Sequence, residues 1–123
     1  MSHTIAKAFS FDAGHHLPGL PAGHKCARPH GHTYRAEVRL TAATLTGPGF
    51  VADFADLAPV KAYLDETFDH SYLNDVVPFP PTSERLAQHL YDWCTANLDL
   101  PDGVTVEAVL VSETPSTWAR YRS

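Results

Sequence analysis

Residues 30–40 read His30-Gly-His-Thr-Tyr-Arg-Ala-Glu-Val-Arg-Leu40, the clearest alternating pattern in the chain. One face of this segment is apolar and consists of Tyr34, Ala36, Val38 and Leu40. The other face is polar and consists of Thr33, Arg35, Glu37 and Arg39. Such alternation is typical of an antiparallel strand with one face on the core and one face in water. The sequence therefore predicts a half-buried strand that begins with two histidines.

A second strand is predicted upstream of this one. Its alternate positions form an inner face that ends on a histidine: Phe9, Phe11, Ala13 and His15. Three more strands are predicted, namely a short one over residues 50–52, one from residue 104 to about 113, and one over residues 118–121.

Two helices are predicted between the strand pairs. The first follows Asp53, whose carboxylate can cap it, and its apolar stripe is Leu57, Val60 and Leu64. The second begins within residues 81–84, where a Thr or Ser cap precedes an acidic residue. Two strand pairs around a helix pair predict an α+β fold, a four-stranded antiparallel sheet with two helices on one face.

Length and composition indicate a single globular domain over residues 1–123, with 44% hydrophobic and 19% charged residues. The net charge of −5 argues against general nucleic-acid binding. No apolar run reaches the roughly 18 residues of a membrane span. The first residues lack the apolar stretch of a signal peptide, so the expected location is the cytoplasm. Two cysteines are too few for a disulfide framework.

The charge is unevenly distributed along the chain. Residues 1–40 hold five basic and two acidic residues, a balance of +3, whereas residues 41–123 hold four basic and twelve acidic residues, a balance of −8. Most histidines lie in the basic part. This pattern allows a small anionic ligand there, although a chance imbalance of surface charge explains it equally well.

Three histidines are candidate metal ligands. His30 and His32 are two residues apart on a strand, so their side chains point to the same face, and His15 ends the inner face of the preceding strand. If the two strands pair, three imidazoles converge, which is the ligand set of a catalytic zinc site with one open position. His16 and His24 are alternative candidates for the third ligand in place of His15.

Cys26 and the pair Asp69-His70 are the other reactive candidates. Cys26 precedes the histidine pair in a loop with nearby cations, which favour the thiolate. It is either the fourth ligand of a closed structural zinc site or a general base beside an open metal, and spacing alone leaves both open. Asp69 can orient His70 for proton transfer if the two make contact. Cys94 is expected to be a buried structural thiol.

The chain resembles the 6-pyruvoyl-tetrahydropterin synthase superfamily over nearly its full length, and is most similar to the 6-carboxy-tetrahydropterin synthase branch. The resemblance rests on Phe-Asp-Ala-Gly-His at 11–15, Cys-Ala-Arg-Pro-His-Gly-His-Thr-Tyr at 26–34, Val-Ala-Asp-Phe at 51–54, Asp-His-Ser-Tyr-Leu-Asn at 69–74, Pro-Thr-Ser-Glu at 81–84 and Ser-Glu-Thr at 112–114. One departure is Gly14-His15-His16, where the family pattern has Ala before the ligand and often Arg after it.

The resemblance implies a tunnelling fold, in which trimers form a twelve-stranded barrel and two trimers stack into a homohexamer with active sites between subunits. It implies that Zn²⁺ is bound by His15, His30 and His32. It implies a proton-transfer triad of Cys26, Asp69 and His70. It also implies pterin contacts from Glu113, which anchors the amino-pyrimidine edge, and from Thr82, Ser83 and Glu84.

The implied substrate is 7,8-dihydroneopterin triphosphate. The implied products are 6-carboxy-tetrahydropterin, acetaldehyde and triphosphate. The pterin product would enter 7-deazapurine synthesis, which leads to queuosine or to a deazapurine natural product. Three residues separate Cys26 from His30, as in the carboxy branch, whereas the pyruvoyl branch usually has a longer gap. Lys25, Arg28 and Arg120 are candidates for the triphosphate, and solvated surface charge is an equal alternative for each. The rival functions are 6-pyruvoyl-tetrahydropterin synthase and a non-catalytic zinc-stapled binding protein.

Overall fold

The chain forms one mixed sheet with helices on one side, and the computed structural model describes residues 1–122. The strands are β1 (His3–His15), β2 (His30–Ala42), β3 (Ser71–Tyr72), β4 (Thr105–Thr114) and β5 (Thr117–Arg122). Their order across the sheet is β3-β1-β2-β4-β5. The predicted four-stranded antiparallel sheet is present, and the structure adds β3, which pairs parallel to β1 at one edge.

The β1–β2 ladder sets the position of the three candidate ligands. It runs from His3 opposite Ala42 to His15 opposite His30, without a register shift. The inner face of both strands is apolar along most of this length and ends in histidines. Uninterrupted pairing therefore brings polar side chains from two strands to the same end of the core.

Three α-helices connect the strands: α1 (Ala58–Thr67), α2 (Leu73–Val76) and α3 (Ser83–Asn97). Asp53 caps a 3₁₀ turn that leads into α1, and its side chain accepts a hydrogen bond from Ala55 N–H at 2.9 Å. Thr82 caps α3 by accepting from Arg85 N–H at 3.2 Å. The predicted Thr82 cap is confirmed, whereas Asp53 caps the preceding 3₁₀ turn and α1 itself begins after Leu57 without a side-chain cap. Pro59 lies in the first turn of α1, where its missing N–H does no harm.

The predicted strand over residues 50–52 is wrong. Phe50 makes only an isolated bridge to Thr46, and the chain bends at Val51 and Ala52. Both of these side chains are buried, so their apolar character reflects packing under the entrance to α1 and not a sheet ladder.

The core lies between the inner face of the sheet and the helices. Phe68, Leu64 and Leu90 from the helical side pack with the apolar row of β2, and all are at most 1% exposed. Cys94 is also fully buried, and burial raises the pKa of its thiol to about 12, as expected of a structural cysteine. Among residues 1–122, no helix has the length and apolar character needed to cross a membrane.

Candidate metal centre

Three imidazoles meet at the end of the β1–β2 ladder. One ring nitrogen from each of His15, His30 and His32 lies within 4.8 Å of the others. His15 is completely buried, and the other two are partly buried. The predicted convergence is therefore observed. The rival ligands His16 and His24 are not members of this group.

Backbone carbonyls determine which nitrogen of two of these rings carries the proton. His15 Nδ1 donates to the Pro81 carbonyl at 2.8 Å, and His30 Nδ1 donates to the Arg28 carbonyl at 2.7 Å. In the neutral rings, both Nε2 atoms are then acceptors. These two Nε2 atoms lie 3.0 Å apart. Two lone pairs at this distance repel one another, and a shared cation removes the repulsion, so the pair fits a metal ion.

The third histidine supplies an unpartnered nitrogen. His32 Nε2 is buried and has no hydrogen-bond partner among residues 1–122. Glu113 Oε2 lies 3.5 Å from it, and Glu113 Oε1 lies 4.0 Å from His15 Nε2. Burial lowers the pKa of His15, in opposition to its bond with the Pro81 carbonyl and to the Glu113 charge. Three converging ring nitrogens, one of them buried and without a partner, match a three-histidine zinc site.

The ring of Tyr34 contacts two of the three histidines from the core side. Its ring centroid lies 5.5 Å from that of His32 and 5.8 Å from that of His15. Its hydroxyl is buried without a hydrogen-bond partner among the described residues, and burial raises the pKa of Tyr34. The alternating pattern predicts Tyr34 only as a core residue, and sequence contains no signal for its contact with the ligands.

A cavity of about 470 Å³ opens beside the histidines. It is lined by Lys25, Cys26, Arg28, Pro29, His30, His32 and Glu113. Cys26 lies in the 3₁₀ turn Lys25–Ala27, and its carbonyl accepts a hydrogen bond from Leu17 N–H at 2.8 Å. Its sulfur is not among the ligand atoms grouped within 4.8 Å. This geometry favours a thiol beside an open metal over a fourth ligand.

Asp69 and His70 make contact but do not line this cavity. Asp69 Oδ2 lies 2.9 Å from His70 Nδ1, and the His70 side chain is 80% exposed. The hydrogen bond from Asp12 N–H, followed by the bond to His70, lowers the pKa of Asp69. The bond to Asp69 and its charge raise the pKa of His70. The pair is thus a formed, exposed dyad that does not line the cavity beside its own chain's three histidines.

A three-residue clamp, Tyr72, Asn74 and His16, ties the dyad segment to the end of β1. Asn74 Oδ1 accepts from His16 N–H at 2.9 Å, and Asn74 Nδ2 donates to the His16 carbonyl at 3.0 Å. The Tyr72 hydroxyl hydrogen-bonds to His16 Nδ1, and the two rings stack. A Cβ at Gly14 would lie 3.3 Å from the His30 carbonyl oxygen and 3.5 Å from the Tyr72 ring. The contact with Tyr72 is an ordinary van der Waals distance, whereas the contact with the His30 carbonyl is tight, so a larger residue at position 14 would require a small shift of the paired strand.

The segment with Thr82, Ser83 and Glu84 forms the start of α3. Thr82 acts as the cap, and Glu84 is exposed in the first turn. These three residues do not line the 470 Å³ cavity. Their neighbour Pro81, however, accepts a hydrogen bond from His15 through its carbonyl, so this segment contacts the histidine cluster through the backbone.

Comparison with known proteins places these features in a family. A family model described as 6-pyruvoyl tetrahydropterin synthase matches residues 4–123. A 6-carboxy-5,6,7,8-tetrahydropterin synthase from Bacillus subtilis is 34% identical over 129 aligned positions, which cover 98% of this chain and 86% of that protein. A protein of the same name from Synechocystis is 40% identical over 128 positions, which cover 97% and 92%.

Solved structures show the same architecture. An uncharacterized protein from Wolinella succinogenes superposes with a TM-score of 0.89 at 24% identity, covering 100% of this chain and 99% of that chain. The 6-pyruvoyl tetrahydropterin synthase of Caenorhabditis elegans superposes with a TM-score of 0.84 at 26% identity, covering 100% and 96%. The α+β arrangement described above is therefore the fold of these proteins.

Proposed function

This chain belongs to the 6-pyruvoyl tetrahydropterin synthase family, and we propose that it acts as a zinc-dependent 6-carboxy-5,6,7,8-tetrahydropterin synthase. In the proposed reaction, 7,8-dihydroneopterin triphosphate and one water give 6-carboxy-tetrahydropterin, acetaldehyde and triphosphate. The main support is that His30, His32, Cys26 and Glu113 border one cavity. Metal ligands, a thiol and a carboxylate at one site suit proton transfer on a polar substrate.

Two observations favour the carboxy branch over the pyruvoyl branch. The relatives from Bacillus subtilis and Synechocystis carry the carboxy name and align with nearly the whole chain. The three-residue gap between Cys26 and His30 is also the spacing of that branch. A short gap keeps the thiol close to the strand that supplies two of the metal ligands.

Different residues of the cavity are proposed to bind different parts of the substrate. Zinc held by the three histidines would supply a Lewis acid for the side-chain oxygens of the substrate. Glu113 can accept two hydrogen bonds from the guanidine-like edge of the pterin, because a carboxylate is a bidentate acceptor. Thr82, Ser83 and Glu84 are proposed as further pterin contacts.

Cys26 and the dyad move protons in this proposal. Cys26, which lines this cavity, removes a proton from a side-chain carbon of the substrate. His70 returns a proton from Nε2, because its Nδ1 is bonded to Asp69. The charge of Asp69 stabilises the protonated ring.

The exposed position of the dyad supports an active site between subunits. Asp69 and His70 lie at the β3 edge of the sheet and do not line their own chain's cavity, and β5 leaves the opposite edge unpaired among the described residues. Joining such edges removes exposed backbone groups. We propose that the four long strands β1, β2, β4 and β5 of three chains close a twelve-stranded barrel, that two trimers form a hexamer, and that His70 completes a neighbouring site.

The proposal extends to location and pathway. A cytoplasmic enzyme would supply its product to 7-deazapurine synthesis, for queuosine in tRNA or for a natural product. Light scattering tests the assembly: the expected mass is six chains, and an active monomer would contradict both the barrel and the shared site.

Product analysis tests the activity. The protein is incubated with 7,8-dihydroneopterin triphosphate, the volatile product is trapped with a carbonyl reagent, and the pterin is identified by mass. Acetaldehyde together with a carboxylated pterin is the expected result. A pyruvoyl pterin without aldehyde assigns the chain to the pyruvoyl branch, whose fold it shares with the Caenorhabditis elegans enzyme. No turnover by a zinc-loaded protein favours a non-catalytic zinc-stapled binding protein.

A further inference from the structure

The connection between α2 and α3 contains Pro78-Phe-Pro-Pro81 and carries the carbonyl that is bonded to His15. Three of its four residues are prolines, which have no backbone N–H to donate. The bond from Thr82 N–H to the Pro80 carbonyl, at 2.8 Å, is local and does not tie the connection to the sheet. Side-chain packing must therefore hold much of this connection in place.

Phe79 is the side chain that packs this connection against α3. The central carbon of the Arg85 guanidinium lies over its ring, 5.6 Å from the centroid. The His89 ring is 5.7 Å from it between centroids and is tilted by 44°. A cation over an aromatic face and a tilted ring pair are both attractive contacts. Arg85 and His89 are four residues apart on α3, so one helix face holds the ring on two sides of a turn.

His89 is in turn packed into the helical layer. Its Nε2 lies 2.7 Å from the Tyr63 hydroxyl of α1. The Phe68 ring lies nearly perpendicular to it, with centroids 5.9 Å apart, and Phe68 is completely buried. The support of Phe79 therefore extends through His89 to α1 and to the core.

Arg85 also bonds to the other end of the connection. Its backbone N–H donates to the Thr82 hydroxyl at 3.2 Å, while its guanidinium lies over Phe79. Pro81 lies between these two attachment points and is buried. Its carbonyl accepts from His15 Nδ1 at 2.8 Å. Contacts on both sides along the chain thus set the position of this acceptor.

The Pro81 carbonyl controls which nitrogen of His15 can bind a metal ion. A carbonyl only accepts, so its bond requires the proton on Nδ1 and leaves Nε2 for the metal. Partners of this kind fix the orientation of a ligand ring, and their loss typically weakens metal binding roughly 10–100-fold.

We propose that Phe79, held by Arg85 and His89, is a positioning residue for the metal centre and keeps the Pro81 carbonyl on His15 Nδ1. Phe79 does not line the 470 Å³ cavity, so any effect on zinc must pass through the connection. The inference rests on the zinc site of the proposed function and on none of its pterin chemistry.

The zinc affinity of Phe79→Leu, measured by competition with a chelator, tests this role. Leucine remains apolar but lacks the ring face that Arg85 and His89 contact, so affinity is expected to fall about tenfold. Arg85→Gln, at an exposed position, keeps the backbone bond to Thr82 and should weaken zinc binding about two- to fivefold. Unchanged affinity in Arg85→Gln would remove Arg85 from the proposal.

Tyr91→Leu is the matched control. Tyr91 is another partly buried aromatic residue beside α3's core face, but its ring packs on Tyr121 of β5, with centroids 5.2 Å apart. Its loss should lower the free energy of unfolding and change zinc affinity by less than about threefold. Equal weakening of zinc binding by Phe79→Leu and Tyr91→Leu would overturn the proposal, because it would indicate only general destabilisation. So would an unchanged affinity in Phe79→Leu.

The Nδ1 proton of His15 gives a readout that general destabilisation does not move. In metal-free protein with isotope-labelled histidine, a hydrogen-bonded ring N–H exchanges slowly with water and gives a resolved magnetic resonance signal. The signal is assigned by its absence from His15→Ala. Phe79→Leu should broaden or lose it, and Tyr91→Leu should retain it. An intact signal in Phe79→Leu would overturn the link through Pro81, even if zinc affinity falls.

The result is separable from the proposed function. If the unmodified protein binds no zinc, the zinc site fails, and the signal of the metal-free protein still decides whether Phe79 positions His15. If no pterin product forms but zinc affinity and signal depend on Phe79, the positioning role stands and the proposed reaction is refuted. If acetaldehyde forms while Phe79→Leu keeps both its zinc affinity and its signal, the enzyme assignment stands and the positioning role is refuted.

Discussion

Asn74 offers the sharpest test of how the end of β1 is held at the metal centre. Its side-chain amide bonds both backbone groups of His16, the residue that follows the candidate ligand His15. All three of these residues are buried or partly buried. Asn74→Ala removes both bonds while leaving the three histidines in place.

The expected cost follows from the two bonds. Each half-buried hydrogen bond contributes about 1 kcal/mol, so the metal-free protein should lose about 2 kcal/mol of unfolding free energy. If β1 frays at His15 without the clamp, zinc binding must restore the ordered end. That penalty weakens zinc affinity by at most about thirtyfold, since 1.4 kcal/mol corresponds to tenfold.

Two assays separate the effects. Urea unfolding of the metal-free protein, at fixed protein concentration, measures stability, and competition with a chelator measures zinc affinity. Asn97→Ala is the control, because Asn97 Nδ2 makes one exposed bond to the Trp93 carbonyl at 2.9 Å, near the end of α3. If Asn74→Ala matches Asn97→Ala in both assays, the clamp does not support the metal centre.

Three further predictions follow from the same structure. Metal analysis should show one zinc per chain and its loss from each of His15→Ala, His30→Ala and His32→Ala; full zinc in any variant removes that residue from the site. Cys26→Ala should retain zinc and assembly but lose turnover by about 10²–10⁴-fold, as expected for a deleted general base, whereas loss of metal would make it a ligand. Burial lowers the pKa of His89 in the folded protein below its ordinary value of 6.5. As pH falls, the unfolded chain therefore takes up a proton at this histidine before the folded protein does, and the free energy of unfolding should fall as pH drops through about 6.5. His89→Gln should flatten this dependence in urea unfolding at pH 8 and pH 5.5, and an unchanged slope would contradict it.

The four long strands and the histidine cluster were predictable because strand periodicity is local. The two-residue period of residues 30–40 fixes which side chains share a face, and it therefore places His30 and His32 together before any tertiary contact is known. The same rule places His15 at the end of its own inner face. The strand β3 was not predictable, because two residues contain no period and its pairing depends on docking against β1.

The contact between Asp69 and His70 was predictable from the sequence, but the exposed orientation of His70 was not. Asp69 and His70 are adjacent, and the structure confirms their contact. The direction depends on the backbone of His70, which has a φ of +58° and donates its N–H to the Asp12 carbonyl at 2.6 Å. A non-glycine residue in this left-handed region is uncommon, and sequence alone gives no reason to expect it here.

The groups that hold the ligand His15 lie far from it in sequence. Pro81, which fixes its Nδ1 proton, is 66 residues away, and Asn74, which clamps the next residue, is 58 residues from His16. Neither contact follows from periodicity, because each requires a loop to dock against the end of β1. The segment from Asp69 to Asn74 thus secures the strand of one metal centre while presenting His70 outward. In the proposed trimer, disorder at one metal centre would therefore disturb proton transfer at the next.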